Sequence, residues 1–438
     1  MQYFIFSDCT VIDVENGCAA LPHTDVYIAA GRIEGVLPHG ERAAEYRGYK
    51  VIDAAGMYAV PGLVNLHVHL FGSGKPSKAL GGGAAQKRLL RFIRTPLGRR
   101  VLGAIVASSA KTELLSGVTT LRAVGDFCGS DIALRDKCAR GKGGAAGLRM
   151  LVSGPAITAP GGHGDGTFAQ TARTPAEFIR AVDEVSAMGA DFIKLCITGG
   201  VMDAKKRGEP GEVKMTAEQI SAACERAHAR GKKVAAHVQS AAGAELAARC
   251  GVDTIEHCAP LSEEGERMLK ERGGAVVVTY SPALPCALLP REATMLNEDA
   301  SYNSEVVMRG MTAGARQARA AGIAVGMGTD ASCPFCMQSG MWREVRYFAR
   351  EVGVSPAEAL CAATLGNARI LGLDEETGSV SVGKSADILL LRRDPLADLS
   401  ALRDIAYISA QGRLIRRPRP KRRAQIEALL DTLWEERK

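Results

Sequence analysis

The sequence predicts an α/β protein built around a (β/α)8 TIM barrel. Two observations carry this prediction. The chain has 438 residues, more than a single hydrophobic core usually supports, so a large domain with a smaller one beside it is expected. Between about residues 61 and 365, eight strand-like apolar runs alternate with helix-length segments, which is the pattern of a parallel sheet made of βα units.

The first 60 residues predict antiparallel strands instead. Short β-rich runs are separated by turn signals such as Asn16-Gly17, and they cover residues 3–14, 24–29 and 49–53. No constellation of catalytic residues lies among them. We therefore expect this segment to be structural.

The barrel strands are predicted from apolar runs at residues 63–67, 118–122, 149–153, 192–195, 233–237, 254–257, 275–279 and 323–329. Helices between them begin at recognisable caps. Thr174 is followed by Pro175, Thr216 has capping-box spacing to Gln219, and Ser355 precedes Pro356.

Strand character returns at residues 378–391, and residues 423–438 predict an amphipathic helix with Ile426, Leu429, Leu430 and Leu433 at helical spacing. Between them, residues 413–423 hold seven basic residues and no acid. The seven positive charges of this tract equal the net charge of the whole chain, which is +7. The basic net charge therefore says little about the catalytic domain. We expect a solvated segment that catalysis does not need, and no nucleic-acid partner.

Two histidines, His67 and His69, end the first barrel run with one residue between them. Alternate residues of a strand point to the same face, so the two imidazoles lie side by side in a metal-ligand arrangement. Further metal-ligand candidates stand at the ends of later runs, and they are Lys194, His237, His257 and Asp330. Because working residues of barrel enzymes lie at the carboxyl ends of strands, these six groups should converge.

This order of motifs resembles the amidohydrolase superfamily. Ile193-Lys194 followed by Thr198-Gly199-Gly200-Val201, together with Pro160-Gly161-Gly162-His163-Gly164, is similar to its branch of metal-dependent prolidases and carboxypeptidases, which is related to imidazolonepropionases. The resemblance implies a TIM barrel with a small β-sandwich formed by the N- and C-terminal segments. The implied domains are residues 1–60 and 371–420 for the sandwich, 61–370 for the barrel and 421–438 for a C-terminal helix.

The resemblance also implies a function, namely cleavage of the amide bond of small dipeptides or N-acyl amino acids by a metal-bridging hydroxide. His67, His69 and Asp330 would bind the more buried of two divalent ions, and His237 and His257 the other. Lys194, carboxylated by carbon dioxide to a carbamate, would bridge both. Imidazole and carboxylate ligands suit zinc. Asp330 would also act as general base and then general acid.

Three residues are candidates for substrate contacts. His163 lies in a glycine-rich loop and would hydrogen-bond the substrate carbonyl oxygen or its oxyanion. Arg122 would either bind a substrate carboxylate or buttress the metal centre, and an ordinary ion pair is the alternative. Gln239 stands where many relatives carry tyrosine, so a substrate contact at this position differs from theirs.

Two other functions stay open at this point. One is a cyclic-amide hydrolase or deaminase of the same superfamily, against which Lys194 argues, and the other is a metal-free binding protein. We expect a cytoplasmic protein without a membrane partner, since no run approaches the roughly 20 apolar residues of a membrane span. We also expect a homo-oligomer. Most of the twelve cysteines should be reduced core thiols, and Cys333 and Cys336 in the eighth loop form only a weak metal or redox motif.

Overall fold

The computed structural model describes residues 3–41, 46, 48–76, 83–201, 204, 206–208 and 210–435. Its N-terminal strands are β1 (Tyr3–Asp13), β2 (Ala19–Ala29), β3 (Arg32–Pro38), β4 (Lys50–Asp53) and β5 (Tyr58–Pro61). β2 pairs with β1 and β3 in antiparallel fashion, as predicted. The prediction is wrong for β4, which runs parallel to β1, as β5 also does. Because β3 occupies the outer edge of β2, the chain crosses back to the other side of β1 and pairs there in the same direction.

All eight strands predicted between residues 61 and 365 are confirmed as strands, with ends that differ from the prediction by no more than two residues. Strands of the parallel sheets are β6 (Leu63–Val68), β7 (Val118–Ala123), β8 (Arg149–Val152), β9 (Ala156–Thr158), β10 (Ala169–Thr171), β11 (Ile193–Cys196), β12 (Val234–His237), β13 (Thr254–Glu256), β14 (Ala275–Val278) and β15 (Ala324–Met327). The short strands β9 and β10 were not predicted. They extend a seven-stranded sheet, β10-β9-β11-β12-β13-β14-β15, beside the three-stranded sheet β6-β7-β8.

Backbone hydrogen bonds connect the two parallel sheets. The Asp330 amide donates to the His67 carbonyl oxygen at 2.8 Å, and the His69 amide donates to Ala331 at 3.1 Å, so the end of β6 lies beside the segment after β15. On the other side, the Asp191 amide donates to the Val152 carbonyl oxygen of β8 at 2.8 Å. These contacts are consistent with the predicted barrel. They bring the carboxyl ends of the first and last strands together.

The helices cover the strands in the order expected of βα units. They are α1 (Gly83–Ile93), α2 (Pro96–Leu115), α3 (Ser130–Ala139), α4 (Pro175–Ala187), α5 (Ala217–Ala229), α6 (Ala241–Cys250), α7 (Glu263–Glu271), α8 (Tyr280–Leu288), α9 (Arg291–Thr294), α10 (Glu298–Ala320), α11 (Met341–Phe348), α12 (Pro356–Cys361), α13 (Asn367–Leu371) and α14 (Ala424–Glu435). The predicted caps are confirmed: the Thr174, Thr216 and Ser355 side chains each accept a backbone hydrogen bond at a helix start. No helix among the described residues has the length and apolar character needed to cross a membrane.

The C-terminal strands β16 (Ile388–Leu391), β17 (Ile405–Ala410) and β18 (Arg413–Arg416) join the N-terminal strands through the antiparallel pair β16–β5. Both chain ends therefore contribute to one eight-stranded sheet. The expectation that residues 413–423 form only a solvated segment is wrong for residues 413–416, which form the edge strand β18. An edge strand tolerates arginine, since its outer side faces water. The final helix is confirmed as α14, and residues 436–438 lie outside the described part.

Candidate metal centre

His67, His69 and Asp330 form a compact group at the junction of β6 and the segment after β15. Their ligand atoms lie within 4.8 Å of one another, and among the described residues no other set of three His, Cys, Asp or Glu does so. The His67 Nε2 and His69 Nε2 atoms lie 3.6 and 3.4 Å from Asp330 Oδ1. All three residues are buried. The geometry therefore fits one metal ion held by two imidazoles and a carboxylate.

The other predicted histidines continue from this group as a chain of ring contacts. The ring centroids of His67 and His257 are 4.8 Å apart, and those of His257 and His237 are 4.5 Å apart. His163, in the loop after β9, stacks on His237 at 4.2 Å. His237 Nε2 also lies 3.3 Å from the Gly199 carbonyl oxygen. Thus the structure brings all five predicted histidines to one side of the sheet.

Lys194 lies on β11 and is 2% exposed. Its Nζ atom is buried and has no hydrogen-bond partner among the described residues. A buried polar group without a partner costs free energy, and a buried ammonium costs more. Burial lowers the pKa of Lys194, which favours the neutral amine, the form that reacts with carbon dioxide. These properties fit a lysine that carries a carbamate.

Hydrogen bonds behind the site orient the ligands. His67 Nδ1 donates to Glu256 Oε2 at 2.7 Å, which leaves Nε2 on the side of Asp330. His69 Nδ1 donates to the Gly125 carbonyl oxygen at 2.7 Å, and His257 Nδ1 hydrogen-bonds Thr279 Oγ1 at the same distance. Partners of this kind fix the tautomer and ring orientation of metal-binding histidines. Sequence reasoning missed Glu256, although it directly precedes His257 in a buried strand.

The electrostatics keep these imidazoles neutral. Burial is the main cause of pKa values well below the usual range for His67, His237 and His257. The pKa of His69 is also lowered by burial, although Asp330 opposes this shift. A neutral imidazole has the free nitrogen lone pair that metal binding requires.

Two of these residues have strained backbones. The φ angle is +70° at His257 and +49° at Asp330, in the left-handed region that non-glycine residues rarely adopt. Strain of this kind persists where the surrounding structure enforces it, and it concentrates at functional sites. The left-handed backbone at these positions helps to direct the His257 and Asp330 side chains towards the other predicted metal ligands.

Arg122 does not face an open pocket. Its Nε donates to the Leu66 carbonyl oxygen at 2.7 Å, Nη1 to Thr254 Oγ1 at 3.0 Å, and Nη2 to Glu256 Oε1 at 2.6 Å. These buried contacts favour the buttressing role and argue against the predicted substrate contact. The Arg122 guanidinium thus holds the Glu256 carboxylate in place, and that carboxylate is the acceptor that orients His67.

Gln239 is tied to a neighbouring loop. Its side-chain Oε1 accepts a hydrogen bond from the Val201 backbone amide at 3.1 Å, and the Gln239 backbone amide donates to Thr198 Oγ1. The side chain therefore supports the loop that follows β11. Its predicted role in substrate binding stays a prediction.

The cysteines are free thiols, as expected. Cys336 is buried and Cys333 is half-buried in the segment after Asp330. Burial, and then repulsion by Asp330, raises the pKa of the Cys333 thiol well above its usual value. A metal or redox role for Cys333 and Cys336 stays an open prediction.

Comparisons with known proteins place these features in a family context. The sequence matches the amidohydrolase family over residues 58–415. The fold matches a solved Bifidobacterium longum protein provisionally assigned as a prolidase, with 37% identity, a TM-score of 0.85 and 99% of each chain covered. A solved Xaa-Pro dipeptidase with bound methionine has 25% identity, a TM-score of 0.81, and coverage of 95% of this chain and 100% of that one. Imidazolonepropionase from Geobacillus is 26% identical over 86% of this chain and 84% of its own.

Proposed function

Since the chain belongs to the amidohydrolase family, we propose that it is a binuclear hydrolase that cleaves the amide bond of small dipeptides or N-acyl amino acids. Membership makes it an enzyme acting on carbon–nitrogen bonds. The finer assignment of substrate is supported by the solved structures it resembles, which include a Xaa-Pro dipeptidase. A TIM barrel with an accessory β-sandwich, divided as residues 61–370, 1–60 and 371–420, is part of the same proposal.

One observation carries the binuclear assignment, namely the buried Lys194 Nζ atom without a hydrogen-bond partner among the described residues. A buried lysine usually has a hydrogen-bonded partner, whereas Lys194 Nζ has none among the described residues, although Glu256 and Asp330 lie near enough to interact with its charge. Lys194 lies within electrostatic range of His67, His237 and His257, which are ligands of both proposed ions. A carbamate on Lys194 would provide one oxygen for each.

His67, His69 and Asp330 would hold one ion, His237 and His257 the other, and carbamylated Lys194 both. Two divalent ions, with zinc as our choice, would polarise the scissile carbonyl and lower the pKa of the attacking water. Glu256 and Arg122 act before substrate arrives, because they hold His67 in one tautomer.

Asp330 and His163 are the residues that we assign to the reaction itself. The Asp330 carboxylate accepts the proton that the attacking water loses, and then passes it to the leaving amine nitrogen. The His163 imidazole donates a hydrogen bond to the carbonyl oxygen as negative charge develops on it. His163 stacks on His237, and Asp330 lies beside His67 and His69, so both residues adjoin the proposed metal ligands.

The test combines metal content with a substrate library. Protein incubated with zinc and bicarbonate should hold close to two ions per chain and hydrolyse members of a dipeptide and N-acyl amino acid library. Lys194→Ala should lose the second ion and most turnover, and short-chain carboxylic acids should restore part of both. Lys233→Ala is the matched control, because Lys233 precedes the start of β12, at the opposite end of that strand from His237. One ion or fewer per chain in the wild type would contradict the proposal.

A second candidate is a cyclic-amide hydrolase, which the resemblance to imidazolonepropionase favours. It predicts turnover of cyclic amides with a single ion per chain, and it gives Lys194 no role. Including a cyclic amide in the same library separates the two candidates.

A further inference from the structure

Two stretches of the chain contain basic residues and no acidic ones. Residues 54–112 hold nine lysines and arginines without a single aspartate or glutamate, and residues 413–423 hold seven basic residues and no acid. Because the whole chain has a net charge of only +7, the remainder is net acidic. The net positive charge of the chain thus comes from two stretches that are about 300 residues apart in sequence.

The fold brings these stretches together. Lys421 Nζ donates to Ser108 Oγ of α2 at 2.7 Å. Beside this contact lies a groove of about 700 Å³ whose described lining includes both apolar residues (Val101, Ala104, Ile105 and Met337) and cations (Lys421, Arg422 and Arg423). No carboxylate belongs to the described lining. Burial and the neighbouring Arg403 lower the pKa of Arg422, and together they outweigh the opposing effect of Glu427.

Large apolar side chains are exposed on the same helices. The exposed fractions are 47% for Leu89, 40% for Phe92, 63% for Leu97, 43% for Val101 and 42% for Ile105. Exposed cations stand between them, and they are Lys87, Arg88, Arg91, Arg94, Arg99 and Arg100. Within the described part of the chain, none of these six cations forms an ion pair. Other residues of α2, such as Leu102 and Val106, are buried and anchor this helix.

We infer that α1, α2 and residues 421–423 form a docking face for an anionic phospholipid surface. We call it the basic-apolar face. Helices that lie in a membrane interface combine large apolar side chains, which enter the acyl boundary, with lysines and arginines, which contact anionic headgroups. An apolar patch of this kind on a soluble protein otherwise costs solubility, so it marks a surface that is covered in use.

Charge decides between this partner and two others. In a two-fold contact between copies, each patch meets itself, so the basic-apolar face would bring cations against cations. A nucleic acid would neutralise the cations but would leave the exposed leucine, valine and isoleucine side chains without a partner. An anionic bilayer satisfies both components at once.

This inference departs from the expectation of no membrane partner. That expectation rested on the absence of a spanning segment and on the basic tract taken alone. Neither consideration addresses a surface that α1 and α2 share with residues 421–423 only after folding.

The test is flotation of the full-length, metal-loaded protein with vesicles of phosphatidylcholine alone or with about 30% phosphatidylglycerol added. We expect binding only to the anionic vesicles, weakening as salt is raised. Arg99→Ala/Arg100→Ala should weaken binding roughly fivefold for each cation removed. The matched control is Arg249→Ala/Arg291→Ala, which removes two exposed arginines from α6 and α9.

A charge-neutral variant tests the apolar component. Phe92→Ser/Val101→Ser keeps every cation, and it should weaken vesicle binding roughly tenfold or more. Dipeptide turnover and melting temperature should match the wild type in all variants, which establishes that they fold. Absence of binding to anionic vesicles overturns the inference. So does salt-sensitive binding to single-stranded RNA that Phe92→Ser/Val101→Ser leaves intact, or a change of oligomeric state in that variant without vesicle binding.

Discussion

At the residue scale, Asp330 combines two tasks that can be separated by substitution. Its Oδ1 atom lies 3.4 Å from His69 Nε2, and the same carboxylate is our candidate for proton transfer. Asp330→Asn keeps the size and one oxygen ligand but removes the base. We expect turnover to fall by roughly 10²- to 10⁴-fold, the usual value of a positioned proton-transfer group, while metal content and KM change much less.

His163→Ala is the companion variant, because His163 is the next group in reach of the reaction. If Asp330→Asn turned over substrate normally with its metals in place, the proton would have to move through another acid. The loss should then be found in His163→Ala instead.

Glu256 acts through His67 and is a positioning residue. It is fully buried and accepts hydrogen bonds from His67 Nδ1 and Arg122 Nη2. Glu256→Gln leaves the shape but weakens the acceptor, so metal affinity should fall by roughly 10- to 100-fold, as for other outer hydrogen-bond partners of metal ligands.

Competition with a metal chelator measures this affinity directly. Glu264→Gln, on the surface of α7, is the control and should bind metal like the wild type. Unchanged metal affinity in Glu256→Gln would show that the buried pair with Arg122 is purely structural.

At the scale of elements, Glu113 connects α2 to the strand that carries the ligands. It accepts a hydrogen bond from Asn65 Nδ2 at 3.3 Å, and Asn65 in turn donates to Thr329 Oγ1 at 2.9 Å, next to Asp330. Burial raises the pKa of Glu113 from its usual 4.5 to about 8. The neutral carboxyl is therefore the form that suits the folded chain.

The pH dependence of stability follows from this shift. Stability from the neutral form is complete below about pH 4.5 and is lost as pH rises through about 8, because the buried group must then ionise. Glu113→Gln stays neutral, so its unfolding free energy should exceed that of the wild type by an amount that grows over this range. Parallel profiles in denaturant titrations at several pH values would contradict the assignment.

The C-terminal elements β18 and α14 have a structural role that the charge of residues 413–423 does not predict. Leu430 and Leu433 of α14 are buried against Leu289, Phe335 and Met337. The buried Arg343 side chain of α11 donates a hydrogen bond to Glu427 of α14 at 2.9 Å. Truncation after Gly412 removes β18 and α14, so we expect a lower melting temperature and a fraction of misfolded chains.

Neutralising the tract is a different change. Lys421→Ala/Arg422→Ala/Arg423→Ala keeps both elements, and its turnover of dipeptides should stay within about twofold of the wild type, since effects on exposed residues away from special features are small. A large loss of turnover in this folded variant would show that the tract takes part in catalysis.

At the scale of the whole molecule, the metal centre joins parts of the chain that are far apart in sequence. Its proposed ligands come from β6, β11, β12, the segment after β13 and the segment after β15. Metal bound only by the folded chain stabilises it by mass action. Removal of metal with a chelator should lower the melting midpoint by several degrees, and added zinc should restore it.

Lys194→Ala should respond less to the chelator than the wild type, because it has one ion fewer to lose. Calorimetry with metal analysis of the same samples measures both quantities. Loss of metal without a change in melting would place the ions outside the fold's stabilising contacts.

Local patterns in the sequence determined most of the elements and all of the ligand candidates. The eight barrel runs follow from apolar periodicity, the helix starts from Thr174, Thr216 and Ser355, and the ligands from their places at strand ends. These features depend on neighbours within a few residues, which is why they can be predicted. Assignment of metals and a carbamate to His67, His69, Lys194 and the others came from family resemblance.

Only the tertiary structure decided which distant groups meet. Glu256 hydrogen-bonds His67 across 189 positions, Arg122 donates to the same Glu256 carboxylate, and Lys194 is left without a hydrogen-bond partner among the described residues. The parallel pairing of β4 and the edge strand β18 depend on which strand edges are free. Pairings of this kind are set by packing between elements, and the two basic stretches become one surface for the same reason.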